Sequence, residues 1–215
     1  MRAVIAERYG KPEVLQIKKV EKLSPKSNEV LIKIKATSIT AASTFMREGT
    51  PYFGRLFVGL TKPKVKTPGT DLSGIIESVG SEVKNFKVGD QVMAETGLNC
   101  GAYAEYICLP FDELIVKKPK NISHEEATGI LDGACTSLAF FTDQVKIKEG
   151  QKVLINGASG SIGTAAIQLA KEFGAEVTGV CSTKNKALVK DLGADNVLDY
   201  TKDELLKSTE TFDVI

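Results

Sequence analysis

The chain has 215 residues, 42% of them apolar, and its 28 basic and 27 acidic side chains give a formal net charge of +1. The apolar fraction is sufficient for a packed core, and the near-neutral charge without a long basic run argues against nucleic acid as the main partner. No apolar run reaches the ~18 residues of a membrane span.

The four cysteines are scattered along the chain without the C-x-x-C spacing of a metal or redox site. They predict reduced thiols in a cytoplasmic protein rather than a disulfide framework. They are Cys100, Cys108, Cys135 and Cys181.

The chain up to about residue 118 is rich in short strand patterns separated by glycine and proline. Residues 31–36 alternate apolar and basic side chains, which is typical of a strand with one face in water. Many short strands with turns between them predict a small barrel or a partly open antiparallel fold. The candidate strands are residues 3–6, 14–20, 30–36, 74–80, 89–94 and 102–109.

Residues 40–68 interrupt these strands with a stretch rich in aromatic and basic side chains. Two interpretations are open: an irregular segment that lines a binding cleft, or a short helix packed on the barrel. Tyr52 is the candidate for a hydroxyl on the substrate side of such a cleft. The alternative is that Tyr52 is a packing residue.

A helical pattern begins after Pro119. Ser123 and Glu126 have the spacing of a capping box, and apolar residues recur at helical spacing to about Val145. His124, the only histidine, lies in the first turn and is predicted to lie in solvent.

Residues 152–171 combine a short apolar strand, a glycine-rich turn and a helical pattern, in that order. Gly160 and Gly163 occupy the last two glycine positions of the G-x-G-x-x-G motif, and Ala158 stands at the first. Such a unit binds a pyrophosphate, because glycines let the backbone approach it and the amides of the helix N-terminus bind its charge. A glycine-rich turn that only packs is the alternative.

Strand and helix patterns alternate to the end of the chain, with strands at 176–181, 196–200 and 212–215 and helices at 186–192 and from Asp203. The chain is therefore predicted to have an α/β fold, with a β-rich N-terminal domain followed by a doubly wound parallel sheet of the Rossmann type. The second part supplies one mononucleotide-binding half. We expect a fragment that ends at the fourth strand of this sheet.

The end of the second parallel strand bears on the choice of cofactor. An acid there usually binds the ribose hydroxyls of NAD. This chain instead has Ser182, Thr183 and Lys184, which offer hydrogen-bond donors and one positive charge. The pattern favours NADP(H), unless Lys184 is only a solvated lysine at the start of a helix.

Further stretches share their order and spacing with a known family: residues 68–74, 79–80, 86–92, 101–106, 136–137 and 150–171. With them the chain resembles the zinc-free quinone oxidoreductase branch of the medium-chain dehydrogenases/reductases. The resemblance implies a GroES-like substrate and catalytic domain at residues 1–118. It also implies an incomplete NADP-binding Rossmann domain at 119–215. The complete protein is expected to be a homodimer.

The resemblance also implies which residues bind the cofactor. The turn holds the phosphates, two threonines lie near the nicotinamide, and the ends of the later strands hold the 2′-phosphate. In that order the implied residues are Ser159, Gly160, Ser161 and Ile162; Thr40 and Thr136; and Ser182, Lys184 and Tyr200.

The zinc-dependent branch has a cysteine near residues 40–44, a histidine where Thr70 stands, and a cysteine cluster near residues 95–103. The chain lacks these ligands, so no metal site is predicted. We therefore expect a zinc-independent, NADPH-dependent enzyme that transfers hydride to a small quinone or α,β-unsaturated carbonyl, with Tyr52 as the catalytic candidate. The alternative is a truncated, inactive relative that serves as a nucleotide-binding or interaction module.

Overall fold

The computed structural model describes residues 1–202 and 209–215. It divides into two compact units, Met1–Gly129 and Ile130–Ile215. The helix predicted to start at Asp203 lies outside the described residues.

The first unit is mainly antiparallel sheet. One sheet has five strands in the order β6-β3-β4-β5-β7, and a second pairs β1 with β2. The strands are β1 (Arg2–Ala6), β2 (Leu15–Lys19), β3 (Glu29–Thr37), β4 (Asp71–Val79), β5 (Gln91–Glu95), β6 (Tyr106–Pro110) and β7 (Ile115–Lys117).

The core of this unit is built on β3, β4 and β5. Ile32 pairs with Ile76 across β3 and β4, and both side chains are buried together with Val30, Leu72 and Val92. Each fully buried side chain of this size contributes roughly 1.5–3 kcal/mol. The β-branched residues that predicted these strands therefore also form the core.

Residues 40–68 contain two short helices, α1 (Ala41–Glu48) and α2 (Arg55–Val58). Between them, Tyr52 and Phe53 lie in a 3-10 turn and are 74% and 71% exposed. The short helix of the second interpretation is therefore present, and these aromatic side chains lie outside its buried face. The cleft-lining role of the segment stays a prediction.

Helix α3 (His124–Ala139) begins at the predicted capping box. The amide of Ser123 donates to the Glu126 carboxylate at 2.7 Å, and the amide of Glu126 donates to Ser123 Oγ at 3.1 Å. A π-helical turn, Phe140–Gln144, follows α3.

The second unit is an α/β layer. Its strands β8 (Lys152–Asn156), β9 (Glu176–Cys181) and β10 (Asn196–Asp199) form a parallel sheet in the order β10-β9-β8. Helices α4 (Ser161–Glu172) and α5 (Lys186–Asp191) connect them. Val214 makes a parallel bridge to Val153 on the free side of β8. The predicted α/β class, with a β-rich first part and a parallel sheet after it, is confirmed.

Several strand predictions differ from the structure: β4 begins at Asp71, three residues before the predicted strand, and residues 212–215 make only the bridge at Val214. The strand predicted over residues 102–109 begins only at Tyr106, although Ala104 makes an isolated bridge to Ala3. The sequence pattern missed β7, because three residues are too few for an alternation to show. Among the described residues, no helix is long and apolar enough to cross a membrane.

His124 is not in solvent, and this prediction was wrong. Its Nδ1 lies 2.7 Å from the hydroxyl of Ser73, a fully buried residue of β4. The Ser73 hydroxyl also lies within hydrogen-bond distance of the Val92 carbonyl, at 2.9 Å. Burial lowers the pKa of His124, and the charge of Lys118 lowers it further.

We expect the first unit to lose stability as the pH falls from 7.5 to 5.5. The pKa of His124 is lower in the folded chain than in the unfolded one, so the unfolded state takes up the proton first and is favoured below about pH 6.5. Urea unfolding of wild type and His124→Gln at both pH values measures this. The glutamine variant should show the smaller drop in midpoint, and equal drops would exclude His124 as the cause.

Candidate functional site

The turn after β8 is held in close backbone contact with α4. Gly157 has φ +73°, a conformation that favours glycine. A Cβ on Gly163 would lie 2.3 Å from the Gly157 carbonyl oxygen and 2.7 Å from the Ala158 Cα. Gly163 therefore permits close packing of helix and turn, and Ala158, at the first position of the motif, is fully buried.

The N-terminus of α4 is left open to a ligand. Gly160 is the N-cap, and no side chain caps the first turn. Among the described residues, the amides of Ser161, Ile162 and Gly163 thus have no side-chain acceptor, and Ser161 and Ile162 are exposed. Open amides at a helix N-terminus fit the negative charge of a pyrophosphate.

Helix α3 packs against this N-terminus within the second unit. A Cβ on Gly133 would lie 2.4 Å from the Ser161 carbonyl oxygen, and Ser137 Oγ donates to the Ile162 carbonyl at 3.0 Å. Thr136, adjacent to Ser137, is half-buried. The threonine predicted to lie near the nicotinamide is therefore on a helix that contacts the first turn of α4.

The segment after β9 is tied to the same turn. Asn185 Nδ2 donates to Ser159 Oγ at 2.8 Å. Ser182 precedes a 3-10 turn that its side chain does not cap, and Lys184 is exposed. Among the described residues, Lys184 forms no salt bridge. Sequence reasoning missed Asn185, because nothing in its local pattern indicates a partner 26 residues away.

A buried carboxylate lies beside this segment. Asp199 ends β10, in register with Cys181 at the end of β9, and its side chain is fully buried. One of its oxygens accepts from the Thr183 hydroxyl, and the other accepts from the Thr201 hydroxyl at 2.6 Å and the Thr201 amide at 2.9 Å. The hydrogen bonds from Thr183 and then Thr201 lower the pKa of Asp199 to about 2, against the effect of burial.

This network changes the expected role of Thr183. Its hydroxyl was predicted as a donor toward a cofactor, but its proton goes to Asp199. Tyr200, which follows Asp199, is 57% exposed. The signal for Asp199 was present in the sequence as an acid at the end of the third strand, one strand later than the motif requires.

In the first unit, Thr40 is the N-cap of α1. Its Oγ1 accepts from the Ser43 amide at 3.1 Å, and Ser43 Oγ accepts from the Thr40 amide at 3.0 Å. The Tyr103 hydroxyl lies 3.0 Å from Ser43 Oγ. In the described part of the chain, the proton of the Thr40 hydroxyl has no acceptor, so it is available to a ligand.

Tyr52 also lies in the first unit. The Arg55 guanidinium lies over its ring at 4.7 Å and over the Tyr9 ring at 4.5 Å, a cation–π arrangement that orients both rings. The Tyr52 hydroxyl makes no hydrogen bond to the described residues. A tyrosine this exposed is not a packing residue of the core.

The second unit thus brings most of the predicted cofactor residues to one edge, where β8, β9 and β10 end. Ligands bind at this carboxyl edge in parallel sheets. Thr40 and Tyr52 belong to the first unit. The residues at the edge are Ser159, Gly160, Ser161, Ile162, Ser182, Lys184 and Tyr200.

Comparison with known proteins supports this architecture. Residues 26–120 match the alcohol dehydrogenase GroES-like domain family, and residues 161–215 match the zinc-binding dehydrogenase family. The structure of the quinone oxidoreductase from Coxiella burnetii is 32% identical, with a TM-score of 0.90 over 100% of this chain and 68% of that one. The chain belongs to the quinone oxidoreductase-like medium-chain dehydrogenases/reductases. The predicted GroES-like first part is thereby confirmed.

Two other oxidoreductases are similar to this chain. A chloroplast envelope quinone oxidoreductase homolog of Arabidopsis thaliana is 38% identical over 189 residues, 84% of this chain. The chain spans only 55% of the length of that relative. The Escherichia coli quinone oxidoreductase, whose crystal structure is a complex with NADPH, is 29% identical with a TM-score of 0.85 over 96% of this chain and 61% of that one.

The name of one matching family mentions zinc. By the resemblance, zinc-dependent members have a cysteine near residues 40–44 and a histidine where Thr70 stands, and this chain has neither. Within residues 1–202 and 209–215, no three His, Cys, Asp or Glu side chains come together to hold a metal ion. Zinc sites need three or four such ligands.

We expect Gly163→Ala to destabilise the second unit by about 1–3 kcal/mol, because its methyl group would overlap backbone atoms that cannot move aside. The matched control is Gly129→Ala in α3, where an added Cβ meets no heavy atom within 4 Å. That change should stabilise its helix by about 0.5–1 kcal/mol. Urea unfolding followed by circular dichroism compares them, and equal effects would refute the close-packing role of Gly163.

Proposed function

We propose that the chain belongs to a zinc-independent oxidoreductase that uses NADPH to reduce a quinone or an α,β-unsaturated carbonyl. The observation that carries this proposal is the carboxyl edge of the parallel sheet. There the open amides of α4 lie at the end of β8, and the donors Ser182 and Lys184 follow β9. An edge of this kind suits a dinucleotide with a phosphate on its ribose.

The preference for NADPH over NADH rests on Lys184. Its exposed ammonium group would attract a 2′-phosphate, and Ser182 and Tyr200 offer hydroxyl donors beside it. The family member from Escherichia coli that was crystallised with NADPH supports this assignment. NADH has no 2′-phosphate on its ribose, so the charge of Lys184 would add little to its affinity.

The proposed reaction is a hydride transfer assisted by hydrogen-bond donors of the first unit. The bound nicotinamide would supply a hydride, for which an electron-poor quinone or enone is a suitable acceptor. Without a cysteine at residues 40–44 or a histidine in place of Thr70 to bind zinc, the protein would act by orientation and hydrogen bonding. The unused proton of Thr40 and the free hydroxyl of Tyr52 are the groups proposed to contact nicotinamide and substrate.

We further propose residues 1–118 as the substrate domain and residues 119–215 as the cofactor domain. A homodimer and a cytoplasmic location stay predictions. The chloroplast envelope relative shows that members of this family occur in other compartments.

We expect the chain to bind NADPH more tightly than NADH, and Lys184→Gln to weaken NADPH binding about tenfold with little effect on NADH. The reason is that Lys184 would contact only the 2′-phosphate, and a hydrogen bond to a charged group contributes about that factor. Because the chain has no tryptophan, the fluorescence of the reduced nicotinamide can be followed directly.

The matched control for this titration is Lys148→Gln, which removes an exposed lysine elsewhere in the second unit. It should leave both affinities unchanged. Failure of wild type to bind either dinucleotide would reject the proposed function. Binding without oxidation of NADPH by any quinone or enone would favour the inactive nucleotide-binding module instead.

We expect Tyr52→Phe to lower kcat/KM for a small quinone about tenfold, with NADPH affinity unchanged, because only the substrate-side hydroxyl is lost. Steady-state oxidation of NADPH measures kcat/KM, and the titration above gives the affinity. Tyr52→Leu is the second variant, because it lacks the ring as well as the hydroxyl. If Tyr52→Phe is as active as wild type and Tyr52→Leu is not, the aromatic ring contributes to activity and the hydroxyl does not.

A further inference from the structure

The hydroxyls of Thr183 and Thr201 lie 3.0 Å apart, and each also lies within hydrogen-bond distance of Asp199. Three contacts therefore compete for two protons, since a hydroxyl has only one. The ionised carboxylate is the strongest acceptor of the three groups. Both protons consequently go to Asp199, one to each of its oxygens.

This arrangement determines what the two threonines offer to a ligand. Both are exposed residues that stand over a fully buried acid. With their protons on the carboxylate, their oxygens present only lone pairs on the solvent side. A lone pair accepts a hydrogen bond from a ribose 2′-hydroxyl and repels a 2′-phosphate.

We infer that Asp199 restrains the preference for NADPH by holding the Thr183 hydroxyl proton. Ser182 and Lys184 attract the 2′-phosphate, whereas the Thr183 oxygen beside them favours a ribose that has its 2′-hydroxyl. Asp199 acts through Thr183 and is a positioning residue that need not touch the cofactor. The inference rests on the proposed function, because it assumes that the carboxyl edge binds a dinucleotide.

Asparagine at position 199 is the informative substitution. Its amide oxygen can remain the acceptor for the amide and hydroxyl of Thr201. Its Nδ2 then faces the Thr183 oxygen and donates to it. The Thr183 proton can then go to the neutral Thr201 oxygen at 3.0 Å or to a charged 2′-phosphate, which is the stronger acceptor. We expect Asp199→Asn to shift the ratio of affinities for NADPH and NADH about tenfold toward NADPH, the factor for one hydrogen bond to a charged group.

The double variant Asp199→Asn with Thr183→Val separates the released proton from the lost negative charge. It lacks the hydroxyl but carries the same charge change. Measured against Thr183→Val alone, the double variant should show no further shift toward NADPH, as a double-mutant cycle detects. A shift of the double variant relative to Thr183→Val as large as that of Asp199→Asn relative to wild type would overturn the inference.

The single variants Thr183→Val and Thr183→Ser test the role of the Thr183 hydroxyl while Asp199 is unchanged. Because Thr183 is exposed, they keep the inference testable if Asp199→Asn fails to fold. Valine should weaken NADH binding about threefold without weakening NADPH binding, because only the ribose hydroxyl donates to this oxygen and a 2′-phosphate is repelled by it. Serine keeps the hydroxyl and should change neither. Loss of NADPH affinity in the valine variant would contradict the inference.

Fluorescence titrations with NADPH and NADH on the full chain give these ratios, and thermal unfolding shows that each variant is folded. If wild type binds neither dinucleotide, the proposed function fails and this inference fails with it. If wild type binds and the ratio is the same in wild type and Asp199→Asn, the inference fails alone.

Discussion

The second unit depends on the close approach of α4 to the turn after β8. Gly163 permits it, because any side chain there would overlap the backbone at Gly157 and Ala158. Two further glycines act on the same turn. A Cβ on Gly133 would meet the Ser161 carbonyl at 2.4 Å, and one on Gly179 would lie 3.0 Å from the Ala158 Cβ. Backbone held this tightly cannot relax around a ligand, so the open amides of α4 are positioned before anything binds.

The same packing determines which charged groups lie around this turn. The amides of α4 contribute the positive end of a helix dipole, and Lys184 adds an exposed cation one strand away. Asp199 lies beneath them, buried and ionised, because Thr183 and Thr201 donate to it. A buried carboxylate is tolerated only when donors surround it. The hydroxyls that satisfy Asp199 are consequently not available as donors to a cofactor.

Much of this architecture could be predicted because it is local. The boundaries of β9 agree with the prediction, and the capping box at Ser123 is present. What the sequence pattern missed depends on distant partners. His124 bonds to Ser73, 51 residues away, and Asn185 bonds to Ser159, 26 residues away. Such pairs are set by how strands and helices pack, and neither periodicity nor propensity encodes that.

The distinction between local patterns and distant partners also applies to the choice of cofactor. The motif-based argument looks for an acid at the end of the second strand of the unit, and none stands there. In a parallel sheet, however, neighbouring strands lie about 4.8 Å apart and end at the same edge. Asp199 ends the next strand in register with Cys181, so its charge enters the region where an acid of β9 would act. The proposed ribose subsite would therefore depend on the whole edge. A sequence argument about it should include the residue that ends each adjacent strand.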